Sequence, residues 1–159
     1  MNMQDAFLRL QTLAYQFEEW RRPTFDQPVS SDELSLLNSR YDQIPTELKE
    51  FFTKTRQIVA MDVWNGYWIG GNVVFNPRPD DGFPKLGVND DEKFDVMAIA
   101  TDGGGNAFLF CLERGSVWKW DHETNRTRFV SDSLVQFLLA VADDWQHVLD
   151  EDFTWNYLT

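Results

Sequence analysis

Residues 97–123 read MAIATDGGGNAFLFCLERGSVWKWDHE, and this stretch decides the fold class. Met97-Ala98-Ile99-Ala100 is apolar. Asp102-Gly103-Gly104-Gly105-Asn106 then breaks the run with residues that accept a positive φ at little cost. Ala107-Phe108-Leu109-Phe110-Cys111-Leu112 is apolar again, Glu113-Arg114-Gly115-Ser116 turns the chain once more, and Val117-Trp118-Lys119-Trp120 alternates. Three short strands joined by strongly specified turns predict a β-meander. The stretch carries no nucleophile–base pair and no metal-ligand set. It describes a scaffold, which favours a binding protein over an enzyme.

On the N-terminal side of the meander, period two and β-forming residues begin after Lys54. Ile58 to Trp64 reads as a strand, Asn65-Gly66 is a hairpin signal, and Tyr67-Trp68-Ile69 is the returning strand. Gly70-Gly71 predicts a bulge or bend before the strand continues through Val73-Val74-Phe75. Residues 76–93, NPRPDDGFPKLGVNDDEK, form the longest irregular segment, with two Asp-Asp pairs. Segments of that kind in compact domains are often functional or mobile.

Three helices are predicted before the sheet. Residues 5–20 place Ala6, Phe7, Leu10, Leu13, Ala14, Phe17 and Trp20 on one helical face, and Arg21-Arg22-Pro23 ends it. Residues 23–29 read as a linker. Ser30 to Glu33 offers a capping box for a helix through about Arg40. Ile44-Pro45 precedes a third helix, with Pro45 at its first position, Glu47 and Glu50 near its positive end, and Leu48, Phe51 and Phe52 facing inward. After the meander, Arg128-Phe129-Val130 adds a short strand and Ser131-Asp132-Ser133 caps a closing helix. That helix is lined by Leu134, Phe137, Leu138, Val141, Trp145 and Val148. The tail from Phe153 to Leu158 is apolar enough to pack back on the body. Helices, then an antiparallel sheet, then a helix predict an α+β fold with helices on one face or end of the sheet.

A chain of 159 residues is expected to form a single domain over residues 1–159, with residues 1–29 a helical extension plus linker. Apolar residues make up 43% and aromatic residues 15%, enough for a core without disulfide or metal support. The lone Cys111 sits mid-run and reads as a buried, reduced thiol, which fits the cytoplasm. The N-terminal stretch has no signal-peptide pattern, and no run is long and apolar enough to span a membrane. The Asn125-Arg126-Thr127 sequon is then fortuitous.

The net charge of −12 is uneven. Residues 1–60 carry nine acids against seven bases, and residues 61–159 carry seventeen against seven. Direct nucleic-acid binding and anionic membrane surfaces are disfavoured, since both depend on Lys and Arg. A basic protein partner would be steered toward such a surface; solubility alone would also account for it.

Catalytic and metal patterns are weak. Asp102 to Asn106 lacks the Lys and Ser/Thr of a phosphate loop and is explained as a turn. Asp121-His122-Glu123 would need further ligands, and the only other histidine is His147. No serine sits in a G-x-S-x-G elbow. Trp118 and Trp120, two apart, share one side of a strand; core packing is preferred to ligand stacking for them.

Two blocks resemble the SUKH superfamily, the Smi/Knr-type group that joins a fungal cell-wall assembly regulator to bacterial toxin-immunity proteins. The first is Ile44-Pro45-Thr46-Glu47-Leu48-Lys49-Glu50-Phe51-Phe52. The second runs from Ile99 through Asp102-Gly103-Gly104-Gly105-Asn106 to Gly115-Ser116-Val117-Trp118 and Asp121-His122-Glu123. The signature positions are Ile44, Pro45, Asp102, Gly103, Gly105, Asn106, Gly115, Val117, Asp121 and His122, expected to be structural. The family's acidic position before its Leu-Pro is absent, since Leu37-Asn38 stand there, and Asn65-Gly66 comes late. The resemblance implies an α+β domain that binds another protein, commonly a secreted toxin such as a nuclease or deaminase. It implies no catalytic residue, no cofactor and no metal. The leading expectation is therefore a non-enzymatic cytoplasmic immunity protein with a basic toxin domain as partner, contacted through Asp80, Asp81, Asp90, Asp91 and Glu92. The alternatives are a regulatory adaptor with an endogenous cell-wall or signalling partner, or a small carbohydrate-active or hydrolytic module.

Overall fold

The computed structural model describes residues 1–41, 44–76, 86–87 and 93–159. Helix α1 (Met3–Ala14) opens on a reciprocal cap. The Asn2 side chain accepts from Asp5 N at 2.9 Å, and the Asp5 carboxylate accepts from Asn2 N at 3.0 Å. The helix is shorter than its apolar spacing predicts. After Tyr15 the chain turns, makes one 3-10 turn at Glu19–Arg21, and leaves Trp20 70% exposed. The cause lies in the residues after it. Pro23 holds Arg22 in extended backbone, and the Arg22 guanidinium bonds the carbonyls of Tyr15 and Phe17 at 3.5 and 3.2 Å.

The expected linker contains strand β1 (Thr24–Phe25). Phe25 rings meet Phe7 at 5.3 Å and Trp145 at 6.5 Å, and this aromatic packing draws the segment onto the sheet despite its flanking prolines. Helix α2 (Ser31–Arg40) uses half of its predicted box. Ser30 accepts from Glu33 N at 3.2 Å, while the Glu33 carboxylate pairs with Arg56 at 2.8 Å. Helix α3 (Thr46–Lys54) begins one residue after Pro45.

Strand β2 (Gln57–Val59) is shorter than predicted. Ala60 and Tyr67 exchange backbone hydrogen bonds of 2.8 and 3.2 Å and close a loop over residues 61–66, so Met61 to Trp64 turns instead of extending. Strand β3 (Tyr67–Gly70) then ends abruptly. Gly70 and Gly71 both adopt positive φ, 76° and 60°, which breaks extended backbone. The expected continuing strand is instead the short helix α4 (Asn72–Phe75). Strands β4 (Leu86–Gly87) and β5 (Lys93–Phe94) pair with each other. The predicted meander follows as β6 (Val96–Asp102), β7 (Ala107–Cys111), β8 (Val117–Asp121) and β9 (Arg126–Ser131). Helix α5 (Leu134–Leu149) closes the order, with Ser133 accepting from Gln136 N at 3.1 Å.

Among the described residues the main sheet has seven strands in the order β1-β2-β3-β6-β7-β8-β9, every neighbouring pair antiparallel. Its inner face carries Ile58, Tyr67, Ile69, Phe108, Phe110 and Val117. These share one apolar cluster with Phe7 and Leu10 of α1, Phe51 of α3, and Phe137 and Trp145 of α5. Burying a Leu or Phe side chain contributes about 1.5–3 kcal/mol, so this face dominates stability. The fold is α+β, as the element order predicts. Residues before position 29 are part of the same cluster: Met3, Ala6, Phe7, Leu10, Leu13, Ala14 and Phe17 all belong to it, and Arg9 pairs with Asp143 of α5 at 2.6 Å.

The tail returns to the body as its composition predicts. Asp144, buried on α5, gathers three donors: Tyr67 OH at 2.5 Å, Trp155 Nε1 at 2.9 Å and Leu158 N at 2.9 Å. Burial pushes its carboxyl above the ordinary range, against the pull of those donors. Cys111 is buried. Among the described residues no helix is long and apolar enough to cross a membrane.

Candidate functional site

The residues singled out by sequence fall into two groups. Asp102, Gly103, Gly105, Asn106 and His122 meet at one end of the meander. Asp102 Oδ1 accepts from Gly104 N at 2.8 Å and Asn106 N at 3.0 Å, and its Oδ2 accepts from Asn106 Nδ2 at 3.1 Å. Asn106 Oδ1 in turn accepts from His122 N at 3.1 Å and from the His122 ring at 2.9 Å. Gly105, at φ 88°, lies beside the His122 ring, and the positive φ is what favours glycine there. Lys119 Nζ lies 3.4 Å from Asp102. Burial alone would raise the Asp102 carboxyl, but the Asn106 and Gly104 donors and the Lys119 charge hold it below its usual range. The Asp102–Asn106–His122 hydrogen bonds tie two turns together. Asp121 continues the pattern by accepting from Glu123 N at 2.8 Å and Thr124 N at 3.3 Å.

The other signature residues stand apart. Ile44 is buried and Pro45 immediately precedes α3. Gly115, at φ 74°, starts the turn into β8, where Val117 is buried. Asp80, Asp81, Asp90, Asp91 and Glu92, the acids expected to contact a partner, lie outside the described residues. Among the described residues no group of three or more His, Cys, Asp or Glu side chains could hold a metal ion.

The remaining aromatic residues lie on the sheet face turned away from α5, on which Ala107, Leu109 and Cys111 of β7 are buried and Trp68, Trp118 and Trp120 partly exposed. Strand register assigns it directly. One row runs Val59, Trp68, Thr101, Ala107, Trp120, Thr127 across β2, β3, β6, β7, β8 and β9. A second runs Ala98, Leu109, Trp118, Phe129. Three tryptophans and a phenylalanine therefore point to one face, with Trp118 and Phe129 directly opposite each other and Trp68 separated from Trp120 by Thr101 and Ala107. Trp118 meets Phe129 edge-on at 5.5 Å. Each indole N–H is already spoken for: Trp68 on Gln57 at 2.9 Å, Trp118 on Ser116 at 3.0 Å, Trp120 on Asn125 at 2.8 Å. These bonds hold the rings in place.

Sequence correctly places Trp118 and Trp120 on one side of a strand but assigns them to the core. They are half-buried and lie outside the apolar cluster, because the inner positions of β8 go to Val117 and Lys119. Phe129 is 49% exposed. Trp68 was missed, although the alternation of Tyr67-Trp68-Ile69 carried the signal.

A cavity of about 180 Å³ lies between α2 and α4, lined by Glu33, Leu37, Arg40, Arg56, Asn72 and Phe75 among others. Among the described residues it holds one carboxylate, already paired with Arg56, and no tryptophan. Hydrolysis of a sugar bond needs two carboxyls flanking one site, and the described residues lining this cavity supply one.

A family model described as SMI1 / KNR4 family (SUKH-1) matches residues 28–140, which run from just before α2 into α5. Comparison with curated proteins gives no match.

Proposed function

Because the chain belongs to the SMI1 / KNR4 family (SUKH-1), a family of protein-interaction and immunity-type domains, we propose that it is a non-enzymatic immunity protein acting in the cytoplasm as one domain. It neutralises a basic toxin domain, such as a nuclease, by covering its working surface. The observation that carries this is the outer sheet face. Trp68, Trp118, Trp120 and Phe129 form a fixed, mostly apolar platform with satisfied indole donors. Trp and other aromatics held rigidly are what dominate binding energy in protein interfaces. The surplus of acids over residues 61–159 supports a basic partner, since opposite charge speeds encounter and makes it salt-sensitive.

Co-expression tests the proposal. A toxin domain encoded beside this chain should be lethal alone, harmless with the chain, and recovered with it as a complex that weakens as salt rises. A housekeeping protein recovered instead, with no protection against any neighbouring toxin, would replace the immunity role by that of a regulatory adaptor.

A further inference from the structure

A second exposed aromatic group lies away from the sheet face, where the loop over residues 61–66 meets the tail. Trp64 stacks on Tyr157 with ring centroids 4.0 Å apart and planes 17° from parallel. Phe153 stands 6.3 Å from the same indole. Trp64 nevertheless remains 44% exposed and Phe153 77% exposed. Met61, three residues before Trp64 in the same loop, is also exposed. Tyr157 covers part of the Trp64 ring, and the indole keeps exposed area beyond that contact.

Trp64 also sits at φ 54°. For a bulky side chain that backbone is an outlier which the surrounding structure must hold in place. The loop is held at both ends, by the Ala60–Tyr67 pair and by Asn65 O accepting from Gly103 N at 2.7 Å. The tail is held by Trp155 and Leu158 on Asp144, by Tyr157 OH on Asp152 O at 2.7 Å, and by Lys119 Nζ on Leu158 O. Lys119 and Arg128 reach the tail from the inner side of the sheet, opposite the tryptophan platform. The aromatic group is therefore a separate, fixed surface.

Its border is acidic. Asp62 is exposed two residues before Trp64, and the exposed Asp150 and Glu151 precede Phe153 with Asp152 between. A second copy of this chain would bring the same acids against these, on a molecule of net charge −12. An exposed indole with exposed carboxylates close to it and its stacking partners in the chain matches the guanidinium group, which stacks on aromatic rings and bonds carboxylates bidentately. We propose that the Trp64–Phe153–Tyr157 group is a docking site for an arginine presented by a basic protein partner. In this proposal the guanidinium lies on the exposed part of the Trp64 ring, with Asp62 and Asp150 as its carboxylate partners. This goes beyond the sheet-face proposal, because it assigns a second surface with its own chemistry.

The test uses the full chain and a tetra-arginine peptide, with tetra-lysine and tetra-glutamate for comparison. Indole fluorescence and calorimetry are measured at low salt. Tetra-arginine should bind more than tenfold tighter than tetra-lysine, and tetra-glutamate should not bind. Phe153→Ser and Trp64→Gly should each weaken tetra-arginine binding at least tenfold. Glycine accepts the positive φ at position 64, and Phe153 is largely solvent-exposed, so both variants should keep the unfolding midpoint close to that of the parent. Asp62→Asn with Asp150→Asn should reduce the preference for arginine over lysine. Equal binding of the two basic peptides, binding unchanged in the variants, or a dimer that Phe153→Ser dissociates would each overturn the proposal. Failure of toxin protection with tetra-arginine binding intact would sink the immunity role and leave this site standing.

Discussion

Gly103 donates its N–H to the carbonyl oxygen of Asn65 at 2.7 Å, and a Cβ on Gly103 would stand only 2.1 Å from that same oxygen. The glycine turn of β6–β7 and the loop of β2–β3 are thereby joined backbone to backbone. This contact, more than conformational freedom, fixes glycine at position 103, whose φ is not positive.

Gly103→Ala should force the two loops apart and cost about 2–3 kcal/mol, the scale of overpacking in a fixed site. Gly104→Ala, one residue on, meets only side-chain atoms at 3.3 Å and beyond, and should cost well under half as much. Urea unfolding of the two variants checks the contrast, and similar losses would show that the loops do not bear on each other as the distances indicate.

The Asp102 carboxyl, held below its ordinary value of 3.8, contributes stability that is present above that value. The contribution is lost as pH falls through the lowered folded-state pKa. Asp102→Asn should cost about 1–3 kcal/mol at neutral pH, because it leaves buried donors poorly met. The gap between variant and parent should narrow below about pH 4. A gap independent of pH would remove the ionised carboxylate from the account.

Asp144 acts in the opposite sense. Its carboxyl is raised by burial, so its contribution is full below the unfolded value of 3.8 and declines as pH rises through the folded-state pKa. Asp144→Ala strands the Tyr67 hydroxyl and the Trp155 and Leu158 N–H groups together. About 2–4 kcal/mol should be lost, and Trp155 emission should shift as the tail loosens. A tail unchanged in proteolysis would contradict this anchoring role.

Glu47 spans from α3 to the start of α5, with its two oxygens on Leu134 N at 3.1 Å and Val135 N at 2.9 Å. A carboxylate at a helix N-terminus satisfies orphan donors and meets the positive end of the dipole. Glu47→Ala should destabilise by about 1–2 kcal/mol, and Glu47→Gln by about half of that. Thermal unfolding of the pair separates the charge from the hydrogen bonds.

Phe129→Asp places a charge on the outer sheet platform at a half-exposed position. It should cost about 1 kcal/mol in stability yet lower affinity for the recovered toxin domain by at least tenfold. Affinity unchanged in that variant would shift the interface elsewhere on the molecule.

Much of this molecule is written locally, and the rest is not. Asp102 to Asn106 specifies its turn through residue chemistry alone, and the alternation of Val117-Trp118-Lys119-Trp120 assigns each side chain to a face. What the alternation cannot say is which face meets the helices. That depends on Phe108 reaching Phe137 of α5 at 5.0 Å, a contact between residues far apart in the chain. Phe25 likewise reads as linker until Phe7 and Trp145 are placed beside it. Glu47 looks like a first-turn acid of its own helix, and only the approach of α5 reveals that it caps another. Gly70-Gly71 announces a break without saying whether strand or helix follows.

The pairing of α1 with α5 has a temporal consequence. Arg9 and Asp143 are separated by 134 positions, and the apolar side of α1 finds much of its cover only on α5. During synthesis at about 5–20 residues per second, the first helix must wait several seconds before its partner leaves the ribosome. Contacts of such high sequence separation slow folding. The nascent chain therefore carries the side of α1 that faces α5 only partly covered, by Phe25 and α3, while the meander assembles, and closure of the core against α5 comes late in folding.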